Sequence, residues 1–368
     1  MSTTPDPDGA EKPSSPTRLH GATWRYLLRR TISDFVGHQG IDAAASLTFF
    51  SVLAIFPAGL AIMAVIGVVG DSDEVRQRLL SLFDGVVPGA VIDTAGTILT
   101  SIAGSSGADI ALITSVAVAL WSSSIYVSAF GRTVNRIYGV AEGRPYWKRK
   151  PVQLLVTVVL LVAVMVMIAV VMASTPVLQN LGSWLGIGDM TIAMWNVARC
   201  GLFAVAAVVV IAILYKGTGN VRLPRFRWLG LGALAALLMM AAASGGFGFY
   251  VGTFASYNVT FGAFAGATIF LIWLFLINVA LLLGAEFNAQ VERGRELQAG
   301  MAAEERLQLP LRDTTAIENR ERAQRITVHR GVLIREGRPL PPRPDSVLRR
   351  SAKWIDGVRA RLSARSRG

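Results

Sequence analysis

The sequence predicts an all-α, polytopic membrane protein: a six-transmembrane-helix bundle with amphipathic interfacial helices. Hydrophobic residues make up 52% of the 368 positions, charged residues make up 16%, and the mean hydropathy is +0.49. Soluble domains carry more charge than this. The apolar residues are also gathered into uncharged runs of membrane-spanning length, and the basic residues concentrate in alternate connecting segments.

The uncharged runs define the spans, because about 20 apolar residues cross a hydrocarbon layer of roughly 30 Å. The run at 228–285 is too long for one helix, and the Gly, Ser, Asn and Thr residues at 252–262 favour a turn that divides it in two. The fourth span reaches sufficient length only if Arg199 lies near its outer end. The predicted spans are residues 43–70, 110–131, 152–175, 192–215, 228–251 and 262–285.

Lysine and arginine counts give the orientation of these spans. Five precede Ala43, six lie in 132–150, four lie in 216–227 and eighteen follow Glu286, whereas the alternate segments hold two, one and none. Positively charged segments remain in the cytoplasm. We therefore predict that both termini are cytoplasmic. The first apolar run begins too far from Met1 for a cleaved signal peptide.

Three regions follow from this pattern: a disordered N-terminus at 1–17, the membrane domain at 18–299, and a basic, largely disordered cytoplasmic tail at 300–368. The apolar stripe of Trp24, Leu28, Ile32 and Phe35 lies beside arginines and predicts an interfacial helix on the anionic inner leaflet.

Two further amphipathic segments leave alternatives open. The external loop at 71–109 suits either two short interfacial helices or a re-entrant, pore-lining element. The apolar positions at 348–362 suit either a disordered tail or a helix bound to anionic lipid. No specific nucleic-acid binding is expected, because no aromatic platform accompanies the basic residues.

Polar residues near or inside the spans are the candidate functional residues, since such groups are costly in hydrocarbon. Asn278 and Glu286 share one face of the last helix, and Asn288 lies just beyond them. Glu286 suits either an interfacial ion pair with an arginine of the second or fourth loop, or proton or substrate handling.

The segment after the second span holds four more candidates: Arg132, Asn135, Arg136 and Arg144. Its arginines could form a cationic vestibule for an anionic headgroup, because guanidinium binds phosphate through two hydrogen bonds. Anchoring at the inner interface is the alternative, and it is the favoured interpretation for residues 148–150, which follow Trp147.

Three residues are candidates for hinges or close packing. Pro57 interrupts the first helix and is expected to kink it. Gly262 and Gly266 have the GxxxG spacing that permits close approach of a neighbouring helix.

Three strings together resemble the YihY/BrkB family of bacterial inner-membrane proteins: DAAASLTFFSVLAIFPAGL, the segment from Trp121 to Lys150, and FGAFAGATIFLIWLFLINVALLLGAEFNA. The resemblance covers residues 31–293 and implies six membrane helices and a plasma-membrane location, but no settled activity. It adds Gly284 to the hinge or packing candidates. The matching positions are Pro57, Trp121, Asn135, Tyr138, Trp147, Gly262, Trp273, Gly284, Glu286 and Asn288.

Members of this family have sometimes been labelled ribonuclease BN, a name that implies catalysis. A metal-dependent nuclease needs converging His, Asp or Glu ligands. His20, His38 and His329 are the only histidines and lie far apart in the sequence. Neither a GxxxxGK[ST] phosphate-binding loop nor a GxSxG nucleophile motif occurs. We expect no enzymatic activity, no metal and no cofactor.

The leading functional hypothesis is a carrier or flippase for a lipid or another anionic amphiphile taken from the inner leaflet. A non-transporting scaffold that recruits cytoplasmic partners is the alternative, and a membrane-associated ribonuclease is a third, weaker hypothesis. The expected partners are anionic membrane lipids, and self-association into a homo-oligomer is compatible with the sequence.

Overall fold

The computed structural model describes residues 12, 13, 15, 18–69, 108–172, 189–224, 226–253 and 258–341. Within these residues the fold is all-helical, apart from one isolated antiparallel bridge between Val221 and Leu311. The helices are α1 (Gly21–Gly37), α2 (Gly40–Val69), α3 (Ala108–Ile137), α4 (Tyr146–Met172), α5 (Asp189–Thr218), α6 (Phe226–Thr253), α7 (Asn258–Gln298) and α8 (Thr315–Arg335).

Each predicted span overlaps one long helix, from α2 to α7 in chain order. Within the described residues, four helical segments are long and apolar enough to cross a membrane: Tyr146–Met167, Cys200–Thr218, Trp228–Gly252 and Gly266–Gln298. That α2 and α3 also cross the membrane stays a prediction. The two segments proposed for the loop at 71–109 lie almost entirely outside the described residues, as do residues 342–368.

The long helices alternate in direction. α2, α4 and α6 begin, and α3, α5 and α7 end, at the same end of the bundle, which we call the polar end. α7 packs most extensively on α6 and also contacts α1 and α2, while α2 packs on α3. The apolar core includes Leu47, Phe130, Ala212 and Leu282, none of which is exposed. This packing places α7 at the centre of the polar end.

α1 is the N-terminal helix expected from the apolar stripe, but only part of that stripe faces the bundle. Phe35 is buried, and Trp24 stacks on Phe287 of α7 with a centroid separation of 6.1 Å. Leu28 and Ile32 are exposed instead. Whether these exposed residues touch a lipid leaflet stays a prediction.

A tight connection joins α1 to α2. Gln39 has φ of 57°, the left-handed region that side chains other than glycine disfavour. At Gly40, an added Cβ would lie 2.3 Å from the Phe35 ring, so only glycine fits this close approach. The connection fixes His38 between the two helices.

The tail is more ordered than the predicted boundary at residue 300 implied. The compact unit that contains the bundle extends to Thr315, and Leu307 and Leu309 belong to its apolar core. We call residues 301–314 the strap. Burial of alternating leucines and pairing of Leu311 with Val221 explain why this segment is ordered.

The second compact unit is Ala316–Gly368. Helix α8 begins at its boundary and carries Glu318 and Arg322, and Glu321 and Arg325, at the i,i+4 spacing that stabilises helices. This spacing favours the observed helix, which lies in a segment predicted to be largely disordered.

Candidate functional site

Glu286 is the centre of a buried hydrogen-bond network at the polar end. Its Oε2 lies 3.0 Å from Nδ1 of His38, and its Oε1 accepts a hydrogen bond of 2.9 Å from Gln290. The Gln290 amide also donates to Asp34 at 2.9 Å, and Arg293 Nε donates to Gln290 Oε1 at 3.1 Å. Among the residues that the structure describes, the ionic partner of Glu286 is therefore a histidine of the α1–α2 connection, and no arginine of the second or fourth loop pairs with it.

The network changes the protonation behaviour of His38. The hydrogen bond with the Glu286 carboxylate raises the pKa of His38 above its ordinary value of 6.5, although partial burial opposes this. A protonated His38 would form an ion pair with a carboxylate that is fully buried. The link between α1 and α7 is thus sensitive to pH near neutrality.

A second ionic cluster lies further along α7 and was missed in the sequence analysis. Lys12 Nζ is 2.8 Å from Glu292 and 3.3 Å from Glu296, and Arg295 pairs with Glu292 at 2.5 Å. The Arg295 guanidinium also lies 4.3 Å from the centre of the Trp228 ring. The three- and four-residue spacing of these charges on α7 was the available signal, since it places them on one face.

Asn135 and Arg144 belong to a polar clamp between the α3–α4 and α5–α6 loops. Arg144 Nε and Nη2 donate to the two Glu142 oxygens at 2.9 and 2.8 Å, and Nη2 also donates to the Thr218 carbonyl at 2.6 Å. Asn135 donates to Glu142 at 3.0 Å and accepts from the Asn220 backbone at 2.7 Å. Arg144 is therefore bound within the protein.

The charge of Glu142 is stabilised by these contacts. Burial alone raises the pKa of Glu142, but the hydrogen bonds from Arg144 and Asn135 outweigh it and hold the pKa below its ordinary value of 4.5. The carboxylate is consequently ionised at neutral pH and neutralises the buried Arg144.

The strap fastens this clamp. Asp313 accepts a hydrogen bond of 3.0 Å from Asn220 through its carbonyl, and its carboxylate pairs with Lys148 at 2.8 Å. The hydrogen bond from Lys148 holds the pKa of Asp313 well below its ordinary range. At Gly143, an added Cβ would lie 1.8 Å from the Asp313 carbonyl oxygen, so the strap lies directly against the loop backbone.

Asn278 joins three helices at a point we call the polar junction. Its Oδ1 accepts a hydrogen bond of 3.0 Å from the Tyr126 hydroxyl of α3. Its Nδ2 lies 3.3 Å from Thr48 and 3.4 Å from Ser51, both on α2. The amide is buried and uncharged, and α2 continues from these residues to Pro57 within the same helix.

Asn288 and Gly284 lie where α7 meets α6. The Asn288 side chain accepts from the Gly232 backbone at 3.1 Å and donates to the Leu229 carbonyl at 3.3 Å. An added Cβ at Gly284 would lie 2.6 Å from the Gly232 carbonyl oxygen, so the two backbones are in close contact. A Cβ added at Gly266 would meet no described atom of another helix within 4 Å, and the surroundings of Gly262 lie outside what the structure describes.

The three arginines of the predicted vestibule have different surroundings. Arg144 is in the polar clamp, and Arg136 Nη1 lies 3.4 Å from both the His38 carbonyl and the Gln39 side chain. Arg132 lies over the Phe50 ring at 5.9 Å and close to Arg149.

No group of three or more His, Cys, Asp or Glu side chains with metal-binding geometry occurs among the described residues. The absence of enzymatic activity, of metal and of cofactor stays a prediction from the sequence.

Comparisons with known proteins agree on one family. The family model described as virulence factor BrkB matches residues 31–307. A ribonuclease-like protein, YfkH, of Bacillus subtilis (strain 168) is 24% identical over 271 residues, which cover 74% of this chain and 97% of that protein. No solved structure matches the chain.

Two further relatives are named UPF0761 membrane proteins. The one from Alkalilimnicola ehrlichii is 30% identical over 263 residues, covering 67% of this chain and 54% of the relative. The one from Chromobacterium violaceum is 27% identical over 255 residues, which cover 68% of this chain and 58% of the relative. The chain thus spans little more than half the length of these two relatives.

Proposed function

This chain belongs to the virulence factor BrkB family of integral membrane proteins, and on that premise we propose that it is a carrier or flippase for a lipid or another anionic amphiphile. Its site would receive substrate from the leaflet at the polar end. The observation that carries the proposal is the polar junction, where one amide in the middle of the longest helix is hydrogen-bonded to two neighbouring helices.

The proposal includes the orientation of the chain. It has six spans, from α2 to α7, with both termini and the basic connecting segments on the cytoplasmic side of a bacterial inner membrane. The concentration of lysine and arginine in alternate segments of the sequence supports this orientation. Topology reporters inserted after Gly186 or within 71–109 should be external, and reporters after Arg144 or Arg222 should be internal. A reversed pair would refute this orientation.

The polar junction supports movement of a polar group through the bundle. Buried amides and hydroxyls are costly in a bilayer, and they mark substrate pathways when they face the bundle interior. Asn278, Tyr126 and Thr48 satisfy one another without a fixed charge. A headgroup could therefore exchange hydrogen bonds with them without breaking a buried ion pair.

A reconstitution assay tests the carrier proposal. The purified chain is placed in liposomes that contain fluorescent anionic lipids, and movement between leaflets is followed by chemical quenching of the outer leaflet. We expect the wild-type chain to accelerate movement and Asn278→Leu to slow it. Ser244→Ala is the matched control, because it removes only the hydrogen bond to the Trp273 indole between α6 and α7. No movement of any lipid by folded wild-type protein would refute the proposal.

The scaffold alternative has one specific observation in its favour. Helix α8 belongs to a separate compact unit and exposes the apolar side chains of Ile326, Val328 and Ile334. Exposed apolar side chains on an otherwise charged helix suit contact with a partner protein. The test replaces these three residues by serine. If the variant no longer complements deletion of the gene in cells but moves lipid in liposomes as the wild-type protein does, the scaffold is favoured over the carrier.

A further inference from the structure

We propose that Arg132, Arg149 and Lys150, which we call the cation cluster, bind the phosphate group of an anionic membrane lipid. Arg132 lies on α3, and Arg149 and Lys150 lie in the first turns of α4. Of these three, the sequence singles out only Arg132 as a candidate ligand, and it favours an anchoring role for residues 148–150. The inference deepens the proposed function by naming the chemical group that the carrier recognises.

The first argument is an imbalance of charge. Other buried cations of the bundle have carboxylate partners: Lys12 pairs with Glu292, and Arg144 pairs with Glu142. In the part of the chain that the structure describes, no carboxylate lies within 4.0 Å of the cation cluster. Arg149 is instead close enough to repel both Arg132 and Lys150. Like charges held together at a half-buried site are stabilised by an anion.

The second argument is unused hydrogen-bonding capacity. Arg149 Nε is buried without a partner. Lys150 is only 8% exposed, and its one hydrogen bond in the described structure is to Ser124 Oγ at 2.5 Å. The Arg132 guanidinium makes no hydrogen bond to any described residue. Arginine and lysine present several donors each, and phosphate oxygens are strong acceptors that suit the arginine fork.

The third argument is the position of Lys150. Its ammonium lies 4.1 Å from the centre of the Trp121 ring. Ser124 and Trp121 lie roughly four turns before the end of α3, so the ammonium contacts this helix far from its end. Lysines near a membrane surface usually extend toward water. A lysine held against the interior of a span marks a functional site.

The surroundings identify a lipid as the source of the phosphate. Aromatic rings flank the cations, with Phe50 5.9 Å from Arg132 and Tyr146 5.9 Å from Arg149. Trp121 is 50% exposed, so one part of its surface remains available beside the cations. The adjoining faces of α2 and α3 expose further apolar side chains suited to acyl chains: Phe49, Leu53, Val118 and Ile125.

Lipid binding is measured with the full chain in detergent micelles. Phosphatidylglycerol, phosphatidylcholine and inorganic phosphate are titrated separately, and bound lipid is counted by native mass spectrometry. We expect phosphatidylglycerol to bind and phosphatidylcholine, whose headgroup has no net charge, to bind more weakly. Arg149→Gln and Lys150→Gln should each weaken phosphatidylglycerol binding by about tenfold or more, because each removes hydrogen bonds to a charged group.

The matched control is Lys148→Gln. Lys148 is the adjacent lysine, but it pairs with Asp313 and its side chain is 58% exposed, so its removal should leave lipid binding unchanged. Arg132→Gln supplies a second test if a buried variant fails to fold, because Arg132 is exposed. Equal binding of both lipids, or unchanged affinity in the folded variants, would overturn the proposal.

Two outcomes separate this inference from others. If inorganic phosphate competes with phosphatidylglycerol at equal concentration, the site serves a free anion and the lipid assignment is wrong. If phosphatidylglycerol binds at the cation cluster but the liposomes show no lipid movement, the carrier proposal fails while the binding site stands.

Discussion

Removing the charge of Glu142 tests the polar clamp directly. In Glu142→Gln, Arg144 keeps its Thr218 carbonyl contact but loses its counter-charge, and the two side chains are only 14% and 7% exposed in the native protein. Breaking a buried ion pair by removing one partner costs about 3–5 kcal/mol. Because Arg144 retains one strong acceptor, we expect a loss near the lower end, about 3 kcal/mol in the free energy of unfolding.

Chemical denaturation in detergent micelles, followed by circular dichroism, measures this loss. Lys148→Gln breaks the neighbouring exposed pair with Asp313 and should have little effect, since such pairs contribute little to stability. The double variant Glu142→Gln/Arg144→Met should recover much of the lost stability because no charge is left buried.

The same variants distinguish the clamp from the vestibule predicted by the sequence. If Glu142→Gln is no less stable than Lys148→Gln, the clamp is not a structural ion pair. If Arg144→Met then weakens lipid binding without destabilising the protein, the original role of Arg144 as a headgroup ligand would be restored.

Three further outcomes are expected. Because the pKa of His38 is raised in the folded protein, its ion pair with Glu286 stabilises the fold fully below about pH 6.5, and this stabilisation is lost as pH rises through the folded-state pKa. The melting temperature of the wild-type protein should therefore fall across that pH range. The melting temperature of His38→Asn should not. Gly284→Leu should lose about 1–3 kcal/mol or fail to fold, because a side chain there meets the Gly232 backbone, whereas Gly266→Ala should unfold like wild type. Tyr126→Phe leaves one acceptor of Asn278 without its donor and should cost about 1 kcal/mol, measured by denaturation; an unchanged midpoint would show that the hydrogen bond does not form.

The positions of the long helices follow from the sequence because the length of an uncharged run limits a spanning helix. The residues at which these helices begin or end at the polar end cannot be derived in the same way. α7 continues to Gln298, well past the last predicted span, because Glu292, Arg295 and Glu296 are buried by pairing and hence tolerated beside the apolar run. A hydropathy pattern places the end of a helix where such charges begin. It does not show that the charges are paired, because their partners can lie elsewhere in the chain.

The candidate site was less predictable for the same reason. Glu286 was identified as a polar residue on a buried face, but its partner His38 is 248 positions away and is fixed there by a two-residue connection. The basic segment at 132–150 contains six cations that the sequence alone does not distinguish. Charge alone did not show that Arg144 has a carboxylate within its own loop, or that Lys150 has none in the described structure.

The strap has a consequence for the order of biosynthesis. It follows all six long helices in the chain, yet it fastens the loops that precede α4 and α6. During translation both loops therefore leave the ribosome and reach the membrane surface before the segment that locks them exists. A nascent chain that stops before Asp313 could insert all six long helices and still lack the contacts of Asp313 with Asn220 and Lys148. Assembly of the polar end is therefore completed only when the strap has been translated.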